Sequence, residues 1–128
     1  MIPEGMIGEG KMKVAEEDTA AKWGSGSLPV FATPAMILLI ERTASECSLP
    51  LLKEGESTVG TRLDIRHTAP SVIGSEIYCR VELTGTDRSR LTFDVKVSDR
   101  AGEVGSGRHE RFIVSNEKFM TTAAGREG

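Results

Sequence analysis

In this chain of 128 residues, the side chains best suited to catalysis are those of a threonine, a glutamate and a histidine. His67 stands near the end of the stretch VGTRLDIRHTAP. The alternation of this stretch predicts a strand that ends at His67, shortly before Pro70. Glu41 interrupts an apolar run, and Thr33 stands directly before a proline. A hydroxyl, a carboxylate and an imidazole together can activate a nucleophile and protonate a leaving group. Each also has a structural interpretation: Thr33 as a helix cap, Glu41 as the start of a solvent-facing side, and His67 as a polar strand end.

A single long helix is predicted to carry two of these residues. Thr33-Pro34 indicates a helix start, with the hydroxyl residue at the N-cap and proline at the first helical position. The run AMILLI that follows is apolar on every side, which is typical of a buried helix, and ERTASEC after it is amphipathic. Pro50 limits this helix to about 14 to 16 residues. The unpaired N–H groups of its first turn are suited to holding a developing oxyanion.

The rest of the ordered chain is predicted to form strands. A short strand is expected within Gly10–Ala15, and four longer alternating ones follow the helix: Ser57–His67, Ser75–Thr86, Arg90–Ser98 and Glu103–Ser115. The turns between them are short, so consecutive strands pair antiparallel. One apolar helix wrapped by a curved antiparallel sheet of about five strands is the α+β arrangement called the hot-dog fold. The unpaired edge of such a sheet is commonly hidden by dimerisation, so we expect a homodimer, with a tetramer left open.

Residues 1–128 are predicted to be one domain with two less regular segments. Residues 16–32, which include the stretch GSGS, are expected to form a mobile lid-like loop. Residues 120–128 are expected to be a disordered tail. The stretch Met1–Gly10 lacks the apolar core of a signal peptide, which favours a cytoplasmic protein.

Composition excludes several classes of function. The net charge of -3 argues against sequence-independent nucleic-acid binding, which needs clustered positive charge. The longest apolar run, Ala35–Ile40, is far shorter than the roughly 20 residues that cross a bilayer. Cys47 and Cys79 lack CxxC spacing, so we predict no metal site. They could form a disulfide, but the lack of a secretory segment favours two buried, reduced thiols.

Several motifs together resemble the fluoroacetyl-CoA thioesterase family. They are VFAT ending at Thr33, Glu41 eight residues later, the GT…HTA strand from Gly60 to Ala69, and GSGRHER ending at Arg111. The resemblance extends from about Val30 to Phe119 without an obvious gap. It implies hydrolysis of a short acyl-CoA to the free acid and CoA, with CoA present only as part of the substrate and no further cofactor.

The resemblance also implies roles for individual residues. It places a hydrolytic triad on Thr33, Glu41 and His67, and acyl-site residues on Gly60 and Arg111. The family's selective member carries a longer, phenylalanine-bearing lid before the helix. Here that segment is the short KWGSGS, so the resemblance implies the triad but not the fluorinated substrate.

Spacing within the helix adds a constraint. Thr33 and Glu41 are about 12 Å apart along the axis at about 1.5 Å per residue, too far to share a hydrogen bond. Either the Thr33 loop folds back, or Glu41 faces Thr33 of a second subunit across a two-fold axis, which we favour. His109 shares the face of Arg111 and is interpreted as a packing residue that could approach the site.

Two other functions fit the same fold. A non-catalytic acyl-CoA-binding module would keep the pocket and Arg111 without needing Glu41 and His67 together. A hydratase or dehydratase would use an acid–base pair on a double bond. Release of free thiol from acyl-CoA distinguishes hydrolysis from both.

Overall fold

The long helix is present where the sequence predicts it, but its N-cap lies one residue earlier than predicted. In the computed structural model, which describes residues 5–127, helix α2 spans Thr33–Ser48 and has 16 residues. Ala32 is the N-cap and makes no side-chain capping bond, so Thr33 is the first helical residue and Pro34 the second. The predicted N-cap role of Thr33 is therefore wrong. A 3₁₀ turn at Leu49–Leu51 follows the helix.

Within residues 5–127, five antiparallel strands form one sheet in the order β1-β3-β4-β5-β2. Their bounds are β1 Ile7–Lys13, β2 Glu56–His67, β3 Glu76–Asp87, β4 Arg90–Asp99 and β5 Gly102–Ser115. The prediction of one helix against a five-stranded antiparallel sheet is confirmed. Both β1 and β2 are edge strands within the described chain.

The core lies between α2 and the inner face of the sheet. Alternate residues of β3 and β4 are buried there: Ile77, Cys79, Val81, Leu83, Leu91, Phe93, Val95 and Val97. From the helix, Met36 and Ile40 are fully buried against them. Each such side chain contributes about 1.5–3 kcal/mol by leaving water. The helix comes close to β1 because Gly8 has no side chain; a Cβ there would lie 2.7 Å from the Cβ of Cys47.

The helix covers the sheet unevenly. It packs chiefly on β1 and β3, and β2 contributes no residue to the fully buried core. Leu63 on β2 is 39% exposed and Leu38 on the helix is 46% exposed. Apolar side chains therefore remain uncovered along the β2 edge.

The segment before α2 has defined local structure. It contains a 3₁₀ turn at Glu16–Asp18 and a short helix, α1, at Ala20–Trp23. Backbone hydrogen bonds join Ala20 to Val30 and Phe31 to Ser71. The mobility expected for residues 16–32 stays a prediction.

The C-terminal segment differs from the expected disordered tail. A third helix, α3, spans Asn116–Gly125, and the Ser115 hydroxyl caps it by accepting from the backbone N–H of Lys118. This serine cap and the alanines late in the helix favour helical structure. Gly128 lies outside the described residues, as do Met1–Glu4 of the stretch interpreted as lacking a signal peptide.

The two cysteines are both free thiols and differ in burial. Cys47 is half-buried, Cys79 is buried, and both are free. Burial raises the pKa of the Cys79 thiol to about 11, which makes it unreactive near neutral pH. Among residues 5–127, no helix is long and apolar enough to cross a membrane.

Candidate active site

The end of β2 meets the start of α2 through a hydroxyl–imidazole hydrogen bond. Thr33 Oγ1 lies 2.8 Å from His67 Nδ1. His67 is the last residue of β2, and the chain turns away at Pro70. Because the Thr33 hydroxyl bonds this ring and not a helix N–H, the helix begins without a side-chain cap. The predicted pairing of an alcohol with an imidazole therefore exists within one chain.

The second ring nitrogen of His67 has no hydrogen-bond partner among residues 5–127. Nε2 is buried and makes no hydrogen bond within residues 5–127. Buried polar atoms are nearly always paired, so an orphaned one calls for an explanation. His67 and Thr33 also line a cavity of about 330 Å³ with Phe31, Val30 and the loop after β2. An unsatisfied nitrogen beside a cavity is a candidate proton carrier for a bound molecule.

The surroundings of His67 favour its neutral form. Burial lowers the pKa of the imidazole from its ordinary value of 6.5. The Ala69 backbone has a smaller, opposite effect and raises this pKa, although it makes no hydrogen bond of ordinary geometry to the unpartnered Nε2. The Phe31 ring meets the imidazole edge-on, with ring centres 6.0 Å apart. At neutral pH, His67 is therefore available to accept a proton.

Both histidines of the chain should titrate below the ordinary value, because burial also lowers the pKa of His109. The neutral form is favoured in the folded state, so each histidine destabilises the fold as the pH falls below about 6.5, the unfolded value. Ring-proton NMR titration measures both, with His109→Gln assigning the two signals. A midpoint for His67 at or above 7 would contradict this environment.

A second group of polar residues surrounds Glu41 in the following turns of α2. The Glu41 carboxylate lies 3.3 Å from Arg111 Nη1, and its side chain is 38% exposed while that of Arg111 is 7% exposed. Burial lowers the pKa of the Arg111 guanidinium, and the adjacent carboxylate opposes that shift. Because guanidinium stays charged in proteins, this is an ion pair with one end in the core and the other reachable by solvent.

Arg111 is held by β2 and by its own strand. Its Nε donates to Thr58 Oγ1 at 2.9 Å, and Nη2 donates to the Thr58 carbonyl at 3.0 Å. Nη1 also lies 3.2 Å from His109 Nε2. The predicted shared face of His109 and Arg111 is confirmed, since both are buried.

A β-bulge places Gly60 and His67 on the same face. The pairing of β2 with β5 shifts between Gly60 and Arg62, so Thr61 is the extra residue. Before the bulge Gly60 opposes Arg111, and after it His67 opposes Gly105. Antiparallel partners project to the same side of a sheet. Without the bulge, residues seven apart would face opposite sides and only one could lie against the helix.

Gly60 leaves the space that the Glu41 carboxylate fills. A Cβ on Gly60 would collide with Glu41 Oε2 and would lie 3.3 Å from both Arg111 Nη1 and His109 Cε1. Glycine is therefore required for the close approach of this carboxylate to the strand.

Gly60→Ala is expected to impair the site and leave the fold intact. The displaced group is the end of a flexible side chain, so the melting temperature should change little, whereas a 1 Å shift of a catalytic group costs about 100-fold in rate. Melting curves and turnover on acyl-CoA measure the two effects. Gly85→Ala is the matched control, because its Cβ would meet only Thr92 at 3.9 Å. Unchanged turnover in Gly60→Ala would show that the carboxylate position does not matter.

The five predicted site residues form two separate groups within one chain. Thr33 and His67 form one group, and Glu41, Gly60 and Arg111 form the other. No hydrogen bond within residues 5–127 joins Glu41 to Thr33 or to His67. The Thr33 loop does not fold back onto Glu41, because Thr33 is the first residue of the same helix that carries Glu41. Convergence of all three triad residues stays a prediction that requires a second subunit.

Sequence reasoning missed Thr58 and interpreted His109 only as a packing residue that could approach the site. Thr58 accepts from Arg111 through both its hydroxyl and its carbonyl, and His109 lies between Arg111 and the β2 backbone. Alternation on β5 gave a signal for His109 alone. No sequence signal marks Thr58, because its role depends on the pairing of β2 with β5.

The helix, the sheet and the geometry above define a hot-dog protein of the kind found among thioesterases. A hypothetical protein of Thermus thermophilus, described as a thioesterase superfamily member, is 27% identical with a TM-score of 0.91, over 99% of this chain and 94% of its own. The family model for fluoroacetyl-CoA-specific thioesterase (FlK) matches residues 14–117. The chain therefore belongs to the FlK family.

Two further relatives are similar to this chain. The fluoroacetyl-CoA thioesterase of Streptantibioticus cattleyicolor is 37% identical over 90 residues, which are 70% of this chain and 65% of that protein. The match thus spans just under two thirds of that relative. A variant of FlK, solved in complex with fluoroacetate and CoA, is 29% identical with a TM-score of 0.88, over 92% of this chain and 99% of its own.

Proposed function

We propose that this protein is an acyl-CoA thioesterase that hydrolyses a small acyl-CoA to the free acid and CoA. The observation that carries the proposal is the Thr33–His67 hydrogen bond at the start of the helix that also bears the arginine-paired Glu41. Membership of the FlK family supports the same chemistry. One water is consumed, the carbonyl carbon–sulfur bond breaks, and the sulfur leaves as the CoA thiol.

The residues divide the work by their chemistry. The N–H groups at the start of α2 hold the thioester oxygen as negative charge develops on it. Glu41 acts on the carbonyl, either as nucleophile or by activating water, and the neutral His67 carries the proton to the leaving thiolate. Thr33 orients the imidazole. Arg111 stabilises the negative charge of Glu41 or of the acyl site, and Gly60 provides the space.

The functional unit is proposed to be a homodimer, with assembly into a tetramer left open. Leu63 on the edge strand β2 and Leu38 on α2 are exposed, and apolar surface beside an open strand edge favours a second copy. An isologous interface would place Glu41 of one chain near Thr33 and His67 of the other, twice over. This arrangement accounts for the separation of the two groups in one chain.

The acyl group is proposed to be small, without commitment to a fluorinated one. The cavity beside His67 holds about 330 Å³, at the low end of small-molecule sites. The relative solved with fluoroacetate and CoA makes fluoroacetyl-CoA a member of the panel to be tested. The short segment before α2 is the reason to test non-fluorinated groups with equal weight.

Release of free thiol from a panel of acyl-CoA esters tests the proposal. Short, branched, aromatic and fluorinated acyl groups are each supplied at saturating concentration, with product acid measured in parallel. Turnover that yields equal amounts of thiol and acid supports hydrolysis. Binding without turnover across the panel would replace the enzyme by an acyl-CoA-binding module, and water addition to an enoyl-CoA would indicate a hydratase.

Oxygen-18 water separates the two routes open to Glu41. If Glu41 attacks the thioester, an anhydride forms, and water attack on its Glu41 side leaves label in the enzyme after one turnover. If Glu41 activates water, all label enters the product acid. Mass spectrometry of the Glu41 peptide after a single turnover therefore identifies the anhydride route when label is found.

A further inference from the structure

His109 lies at the centre of the second group of site residues, and the proposed triad mechanism assigns it no role in the reaction. Its side chain is 0% exposed on the inner face of β5. Burying an imidazole is costly unless its nitrogens are hydrogen-bonded. Both nitrogens are within hydrogen-bond distance of an identifiable group, and these two partners fix the state of the ring.

The partners of His109 assign its tautomer. Nε2 lies 3.2 Å from Arg111 Nη1, and guanidinium nitrogens only donate, so Nε2 must accept. Nδ1 lies 2.8 Å from the Arg62 carbonyl, which only accepts, so Nδ1 carries the proton. The ring is therefore neutral and protonated on Nδ1. Burial chiefly lowers its pKa, which is consistent with this state.

The ring is also fixed in orientation. Phe93, its cross-strand partner on β4, stacks on it with ring centres 6.5 Å apart and planes inclined by 29°. On the β2 side, a Cβ on Gly60 would lie only 3.3 Å from Cε1, so this strand leaves little space at that edge of the ring. An imidazole stacked on one face and bonded at both nitrogens presents its lone pair in one direction only.

Arg111 depends on the lone pair of His109 Nε2 to keep its Nη1 directed at Glu41. Nε and Nη2 both donate to Thr58, which anchors the guanidinium to β2. Nη1 has two hydrogens, and its two acceptors are Glu41 at 3.3 Å and His109 at 3.2 Å. Removing the His109 acceptor would leave one Nη1 hydrogen unsatisfied in the core and remove one of the contacts that fix Nη1 beside Glu41.

We propose that His109 is a positioning residue that, as the neutral Nδ1–H tautomer, accepts from Arg111 and thereby holds the guanidinium against Glu41. The proposal rests on the proposed function, because it assigns His109 an effect on the reaction through Glu41. It differs from a purely structural role, in which the Arg62 bond and packing against Phe93 would be all that matters.

Two amide substitutions separate these roles. In His109→Asn the amide can reach the Arg62 carbonyl but offers no acceptor to Arg111. In His109→Gln the longer side chain brings its amide oxygen to the position of Nε2. Val81→Ala, buried in β3 away from Arg111, controls for loss of stability alone.

The expected result is a difference between the two amides. His109→Asn should lower kcat by about 10- to 100-fold with little change in KM, because Glu41 is misplaced and no substrate contact is lost. His109→Gln should retain most of the activity, and Val81→Ala should melt earlier with kcat unchanged. Equal losses in the Asn and Gln variants would overturn the proposal.

NMR tests the same proposal without any substrate. Long-range nitrogen–proton correlation on the wild-type protein should show Nδ1 of His109 protonated and Nε2 unprotonated at neutral pH. The Arg111 side-chain N–H signals should be protected from exchange in the wild type and in His109→Gln, and lose protection in His109→Asn. A proton on Nε2, or unchanged protection in His109→Asn, would refute the positioning role. Should no acyl-CoA be hydrolysed, the proposed function fails while these signals still decide about His109.

Discussion

Glu41→Gln is expected to lower thioester hydrolysis by about 1,000-fold or more, at the upper end of what loss of a single acid–base group costs. The amide has the shape of the carboxylate and can still accept from Arg111, so the local geometry should survive. It can neither attack the thioester nor take a proton from water. The loss should therefore appear in kcat, measured as free-thiol release under saturating substrate.

The fold of this variant should be unaffected. The Glu41 side chain is 38% exposed, so its contribution to stability through the ion pair is small. Glu46→Gln is the matched control, because it removes an exposed carboxylate from the same helix. A Glu41→Gln protein with the activity of the Glu46→Gln protein would remove Glu41 from the chemistry.

Loss of His67 is expected to have the second large effect, about 100- to 10,000-fold in kcat for His67→Ala. The reason is that the orphaned Nε2 is the nitrogen left free to move a proton, while Nδ1 is engaged with Thr33. Thr33→Ala should cost less, because the imidazole remains and loses only its orienting partner.

The two substitutions should not be additive. If Thr33 acts through His67, the double variant Thr33→Ala/His67→Ala should be no slower than His67→Ala alone. Thr33→Ser retains the hydroxyl and serves as the control for the lost methyl group. Additive losses in the double variant would mean that Thr33 contacts the substrate independently.

Much of the scaffold could be predicted because its signals are periodic and local. The apolar positions of β3 and β4 alternate without interruption, and every one of them proved buried. The run after Pro34 is apolar on all sides, which is typical of a buried helix, and all of its residues except Ile37 and Leu38 are buried. These two patterns are enough to require one helix against one antiparallel sheet.

The details of the site were less accessible because they depend on pairing. The bulge at Thr61, which brings Gly60 and His67 to one face, is visible only in the register of β2 against β5. The helix begins one residue earlier than predicted, and the Thr33 hydroxyl bonds His67, which is 34 positions away in the chain, and not a helix N–H. Local propensity has no access to such a distant partner.

The helix α3, by contrast, was not predicted although its signals are local. Residues 120–128 are expected to be a disordered tail, yet Ser115 caps a helix that continues to Gly125. Its residues are exposed throughout, so local propensity and the cap, with little packing, account for it.

Subunit complementation tests the central claim most directly, that each site combines Glu41 of one chain with Thr33 and His67 of another. The His67→Ala and Glu41→Gln proteins, each expected to be nearly inactive, are mixed, and subunit exchange is verified with differently tagged chains. In a heterodimer, one of the two sites then has both wild-type residues, so activity should return toward half that of the wild type per heterodimer. No recovery after verified exchange would contradict a site shared between subunits.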